Sequence, residues 1–178
     1  MIGGKKGFTL IEVLVALAIF SVVVTISTDL FMTYQRLQRK TEAMQELNGA
    51  ARNIMERIVR EARENEINYG GEELAWPATT LSLKDFEDKP IIFQQVEKDL
   101  QISVDNQSAS LLPKGVQLKD LKFYIMPRKN PFQFDTTDYL SHAQPFVFIS
   151  MTLEKTGAQL TENTVTLQTA VSNRIYKR

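Results

Sequence analysis

Glu12 is the one ionisable side chain between Phe8 and Thr28, and it stands near the start of an otherwise apolar run. A lone carboxylate in a lipid-compatible segment costs about 2.5–3.5 kcal/mol at a helix centre and less near an end. It therefore calls for a cationic partner or a place by the membrane surface. Lys5 and Lys6 lie seven and six residues ahead of it, just before Gly7 and Phe8. Elsewhere the chemistry-bearing residues are sparse. There is no cysteine, which removes disulfides, thiolate metal sites and cysteine nucleophiles together. His142 is the only histidine and has no acid at metal spacing, so it reads as a surface loop residue. Asp135 and Asp138 could offer oxygens to a calcium ion, but the segment lacks the glycine and bidentate glutamate of an EF-hand loop. A solvated turn is the better reading there, and neither a metal nor a cofactor is expected. Gly70-Gly71 is followed by no Gly-Lys-Ser/Thr, so it is no phosphate loop. Trp76, Phe132, Phe134 and Phe146 could mark a partner surface, although core packing is the commoner fate of such aromatics.

These residues are carried on a chain of 178, 43% of it apolar, enough for one globular domain plus an anchor. Formal net charge is zero; without residues 1–7 the balance is 19 basic against 21 acidic, a net of −2. No basic stripe is interleaved with aromatics, so no nucleic-acid partner is expected. Residues 8–28 supply about twenty apolar positions, enough at ~1.5 Å each to span the ~30 Å hydrocarbon core. The many β-branched residues do not prevent a helix there, because a backbone in lipid must satisfy its own hydrogen bonds. Lys5 and Lys6 place the N-terminus in the cytoplasm and the chain after Asp29 outside. No Ala-x-Ala-like site follows the run, which also exceeds a secretory signal in length, so the segment reads as retained.

Lys5-Lys6-Gly7-Phe8-Thr9-Leu10-Ile11-Glu12, followed by Val13-Leu14-Val15-Ala16-Leu17-Ala18-Ile19-Phe20, resembles the prepilin cleavage and methylation signature. That signature is shared by type IV pilins and the pseudopilins of type II secretion. The resemblance implies cleavage between Gly7 and Phe8 by a prepilin peptidase and N-methylation of the new Phe8 amine. It assigns Glu12 to assembly, as the counter-charge of a Phe8 amine. Within one chain the two groups lie a helical turn apart on one face; between neighbouring subunits the same pair would check register. On this reading the partner of Glu12 does not exist until the leader is cut. The implied partners are the peptidase, other pilin or pseudopilin subunits and an assembly-platform membrane protein. Some pseudopilins bind calcium in a loop, which leaves Asp135 and Asp138 as weak metal candidates.

The helical pattern continues past the membrane. Leu37, Met44, Leu47, Ala51, Ile54, Ile58 and Ala62 recur at three- and four-residue spacing, with charges on the other faces. No proline interrupts 8–65, so one rod of roughly 85 Å is expected, ended by Tyr69-Gly70-Gly71. Asn48-Gly49 is its weak point. Many family members carry a proline just past the span; here polar residues around Asp29 take its place. Strands are expected at 79–83, 91–96, 100–104, 116–126 in two pieces, 146–154 and 164–171, with a turn at 105–108 and loops between. Short runs separated by turns favour an antiparallel sheet, and helix before strands gives an α+β fold, in family terms a pilin-like one. Residues 1–7 form the expected leader, 8–28 the membrane and filament-core helix, 29–66 its amphipathic continuation and 67–178 an extracytoplasmic sheet domain.

Leu111-Leu112-Pro113-Lys114-Gly115-Val116 leading into Leu121-Lys122-Phe123-Tyr124-Ile125, then Pro145-Phe146-Val147-Phe148-Ile149, then Leu167-Gln168-Thr169-Ala170-Val171-Ser172-Asn173-Arg174, resembles minor pilins and J-type minor pseudopilins. The expected function is a non-enzymatic structural subunit of a type II secretion pseudopilus or a type IV pilus, held first in the cytoplasmic membrane. A major or competence pilin is an alternative; a single-pass anchored binding domain unrelated to filaments is another.

Overall fold

The computed structural model describes residues 7–105, 107–131, 144–156 and 164–173. It contains one helix, α1 (Leu10–Glu64), followed by eight strands. The strands are β1 (Glu66–Ile67), β2 (Thr80–Lys84), β3 (Pro90–Val96), β4 (Asp99–Val104), β5 (Gln107–Ser110), β6 (Val116–Met126), β7 (Phe146–Lys155) and β8 (Thr164–Ser172). The chain divides into two compact units, Met1–Glu42 and Ala43–Arg178. This is an α+β arrangement: a long apolar-led helix, then antiparallel sheets.

In the first unit the described side chains are exposed apart from a half-buried Gln35. α1 is long and apolar enough here to cross a membrane. The hydroxyls in the apolar run are satisfied inside the helix. Ser21, Thr25, Ser27 and Thr28 donate to the carbonyls of Leu17, Ser21, Val23 and Val24, four residues back, at 2.8–2.9 Å. A hydroxyl tied in this way presents little unmet polarity to lipid. The helix continues through Asp29 and through Asn48-Gly49 without a break. Asn48 donates to the Met44 carbonyl at 2.8 Å.

In the second unit Ala43, Leu47, Ala51, Ile54, Met55, Ile58 and Ala62 form the buried stripe of α1. Leu37 shares the spacing but stands before residues 47–62, the part expected to face the core, and is 59% exposed; Ala43 and Met55 take core positions as well. The stripe joins one hydrophobic core with residues of both sheets. Five strands form one sheet in the order β1-β2-β3-β4-β5, and three form the other in the order β6-β7-β8, every pair antiparallel. Phe93, Phe123, Leu47 and Ile58 are wholly buried. Just ahead of β2, Ala78 exchanges two backbone hydrogen bonds with Phe123 of β6, 2.9 and 2.8 Å.

Three expectations change. The helix ends at Glu64, before Tyr69-Gly70-Gly71, because Asn65 closes it. Its backbone N–H and its Nδ2 both reach the Glu61 carbonyl, at 3.0 and 3.1 Å, and β1 starts one residue later. Gln107 and Ser108 belong to β5 rather than a turn: Val104 pairs with Gln107, so the connection is two residues long. Asp105 has φ 51°, the positive value that such tight hairpins demand. Finally, 116–126 is one strand. A register shift between Leu118 and Asp120 leaves an extra residue, Lys119. It moves the buried positions from Val116 and Leu118 to Leu121, Phe123 and Ile125. Without that bulge one half of β6 would turn its apolar face to solvent.

The C-terminal end of α1 is closed by a residue far along the chain. Buried Asn173, just past β8, donates from Nδ2 to the carbonyls of Ala62, at 3.1 Å, and of Asn65. Gln144 donates to the Asn173 carbonyl at 2.6 Å. Lys155, at the end of β7, forms an ion pair with Glu46 of α1.

Tyr69 is the exception to this satisfied interior. Among the described residues its buried hydroxyl has no hydrogen-bond partner. Burial, and secondarily the Glu66 charge, push its pKa well above the ordinary value near 10. Folding thus disfavours the phenolate. That share of stability is whole below about pH 10 and is lost as pH rises through the folded pKa. Tyr69→Phe should raise stability at pH 8 by on the order of 1 kcal/mol. Its advantage over wild type should widen at pH 11. Urea unfolding of the detergent-solubilised chain at both pH values measures this; a destabilised Phe variant would mean that the hydroxyl has a partner.

Candidate functional site

Gly7, Phe8 and Thr9 precede the first helical residue, Leu10. Phe8 is 87% exposed, and a Cβ built on Gly7 would meet nothing within 4 Å. The Gly7-Phe8 peptide bond therefore lies in exposed, non-helical backbone ahead of α1, which suits it to a protease. Because no neighbour crowds Gly7, the fold of the chain itself places no demand for glycine there. Lys5 and Lys6 lie outside the described residues.

Thr9 and Glu12 form the start of the helix together. The Glu12 N–H donates to Thr9 Oγ1 at 3.3 Å, and the Thr9 N–H donates back to Glu12 Oε2 at 2.8 Å. The Thr9 hydroxyl also donates to Oε2, at 2.9 Å. This is a capping box, in which a Thr and the Glu three residues on satisfy two of the donors that a helix N-terminus leaves open. The carboxylate also faces the positive end of the helix dipole. Glu12 thus has partners in the uncut chain, whereas the sequence reading left it without any before cleavage. Thr9 was missed, although Thr9-Leu10-Ile11-Glu12 before an apolar run is the Ser/Thr-x-x-Glu pattern that announces such a cap. All three bonds involve either Thr9 or Oε2; Oε1 takes no hydrogen bond among the described residues.

Two shallow, open apolar grooves run along either side of Glu12 and Ala16. One is completed by Phe8, Val13, Leu17 and Phe20, the other by Ile11, Val15 and Ile19. The small Ala16 sets the low floor between them, a point where another helix can approach closely.

Asp135, Asp138, His142, Phe132 and Phe134 lie outside the described residues. Among the described residues no cluster of three or more His, Cys, Asp or Glu side chains could hold a metal. Trp76 and Phe146 are partly exposed. Trp76 packs edge-on to Tyr124 at 5.1 Å, and Tyr124 meets Phe148 at 5.7 Å, making an aromatic row.

Residues 3–28 match the family described as the prokaryotic N-terminal methylation motif, and this match takes in Gly7, Phe8, Thr9 and Glu12. Over 52 residues the chain is 44% identical to the pilin-like protein PilA3 of Thermus thermophilus. These matches support a type IV pilin-family protein. The second covers 29% of this chain and 22% of that relative. No solved structure matches. The cap holds the first turn of α1 in shape directly after Gly7-Phe8. Thr9→Ala should cost the first turn about 1 kcal/mol, a roughly fivefold rise in amide exchange at residues 11–13 in micelles, while Thr9→Ser should leave exchange near wild type.

Proposed function

We propose that this chain is a minor structural subunit of a type II secretion pseudopilus or a type IV pilus, made as a precursor and cut between Gly7 and Phe8. The observation that carries the reading is the exposed Gly7-Phe8 bond directly before a capped, membrane-length apolar helix, inside the matched methylation motif. The new Phe8 amine is then N-methylated. The subunit waits in the cytoplasmic membrane with residues 1–7 facing the cytoplasm and the sheet unit outside. It is then drawn by an assembly-platform protein into the filament.

Cleavage leaves the capping box intact, because the Thr9 N–H belongs to the Phe8-Thr9 bond. Glu12 can keep Oε2 on Thr9 and offer Oε1 to a Phe8 amine. That division lets one carboxylate stabilise the helix start and neutralise a cation at once. The grooves beside Ala16 offer a neighbouring subunit's helix a place next to this charge. The C-terminal likeness to J-type minor pseudopilins favours a minor subunit, and the strands β6, β7 and β8 fall on the segments that carry it. No catalytic step is assigned to the chain.

N-terminal mass spectrometry of the chain from its native host should find it beginning at Phe8 with one added methyl group. A retained leader with Phe8 unmodified would overturn the proposal and favour a plain membrane anchor. Glu12→Ala should be cut almost as well as wild type yet enter filaments at least severalfold less, read by immunoblot of sheared filaments against membranes. Wild-type incorporation would remove Glu12 from assembly.

A further inference from the structure

We propose that Arg36, Arg39 and Lys40 form a binding face for anionic phospholipid headgroups on the outer side of the membrane. The inference rests on the membrane-anchored reading above and adds a ligand to it.

The three residues stand at i, i+3 and i+4 on α1, so they share one face. All three are exposed. Like charges at this spacing destabilise a helix unless an anion compensates them. The helix itself supplies one such anion for three cations. The one acid at three- or four-residue spacing from any of them is Glu42, three after Arg39, and its carboxylate accepts a hydrogen bond from Gln38 at 3.1 Å. Glu46, farther on, is paired with Lys155. Among the described residues none of the three basic groups makes an ion pair.

Their position says what the missing anion is. The apolar surface does not end at Thr28; Leu30, Phe31, Met32 and Tyr34 are all exposed. Residues 8–28 span about 30 Å, and Tyr34 stands about 9 Å beyond Thr28, toward the level where aromatic side chains favour the membrane interface. Arg36 to Lys40 lie roughly 12–18 Å beyond Thr28. Long basic side chains can bend back from there into the headgroup layer. At about 100° per residue Leu30, Tyr34 and Leu37 share one sector of the helix and the basic trio a neighbouring one, which Asp29 and Met32 also enter. A phosphate-bearing lipid surface next to the span meets the charge, the exposure and the height together.

The test is native mass spectrometry of the full chain released from bilayers of equal phosphatidylglycerol and phosphatidylcholine. Each basic residue near an anionic surface strengthens attraction on the order of fivefold. Wild type should retain severalfold more phosphatidylglycerol than phosphatidylcholine. Arg36→Gln/Arg39→Gln/Lys40→Gln should retain the two about equally, and Arg36→Lys/Arg39→Lys should keep the preference. Equal retention by wild type, or an unchanged preference in the triple variant, would overturn the proposal. So would a variant that keeps its preference but fails to enter filaments, which would assign the trio to a protein partner. The readout needs neither cleavage nor assembly. A chain that keeps its leader in the host but prefers phosphatidylglycerol would sink the filament reading and leave this one standing.

Discussion

A helix that enters lipid must bring all of its hydrogen bonds with it. Everything in the N-terminal unit follows from that demand. Four hydroxyls in the apolar run are tied to carbonyls four residues back. The first turn, which cannot close its own donors, is closed by Thr9 and Glu12. The charge that looked most out of place is thus part of the helix architecture.

The other end of α1 meets the same demand in a different medium. Its last carbonyls are taken by Asn65 and by Asn173, both buried. Between the two ends the helix changes its environment without changing its geometry. Up to Glu42 its side chains are exposed except for a half-buried Gln35, and from Ala43 it presents a buried stripe to two sheets. Ala51 and Ala62 of that stripe belong to the same core in which Phe93 and Phe123 are wholly buried.

Much of this was readable from residue order because each signal is local. The apolar run, the three- and four-residue recurrence from Leu47 to Ala62, and the strands of the second sheet all announce themselves by period. Leu37 fits the same recurrence yet is exposed, because period alone does not say where the sheets begin to cover a helix. β1 was missed for the opposite reason. Two residues, Glu66 and Ile67, carry no period, and only pairing with Leu83 and Lys84 makes them a strand. The Lys119 bulge was half visible: the inward residues of β6 could be named, but the change of parity between them looked like a break. At the N-terminal site Gly7, Phe8 and Glu12 stood out by type and spacing, and Thr9 did not, because a threonine beside an acid draws attention only once the cap is sought.

Asn173 also has a meaning in time. It is made 111 residues after Ala62, whose carbonyl it closes. A ribosome finishes α1 long before the side chain that seals its far end exists. Until β8 joins its sheet, those terminal carbonyls must rest on water. The sheet unit therefore cannot complete itself in the order of synthesis: the residue just past β8 supplies the bond that α1 awaits.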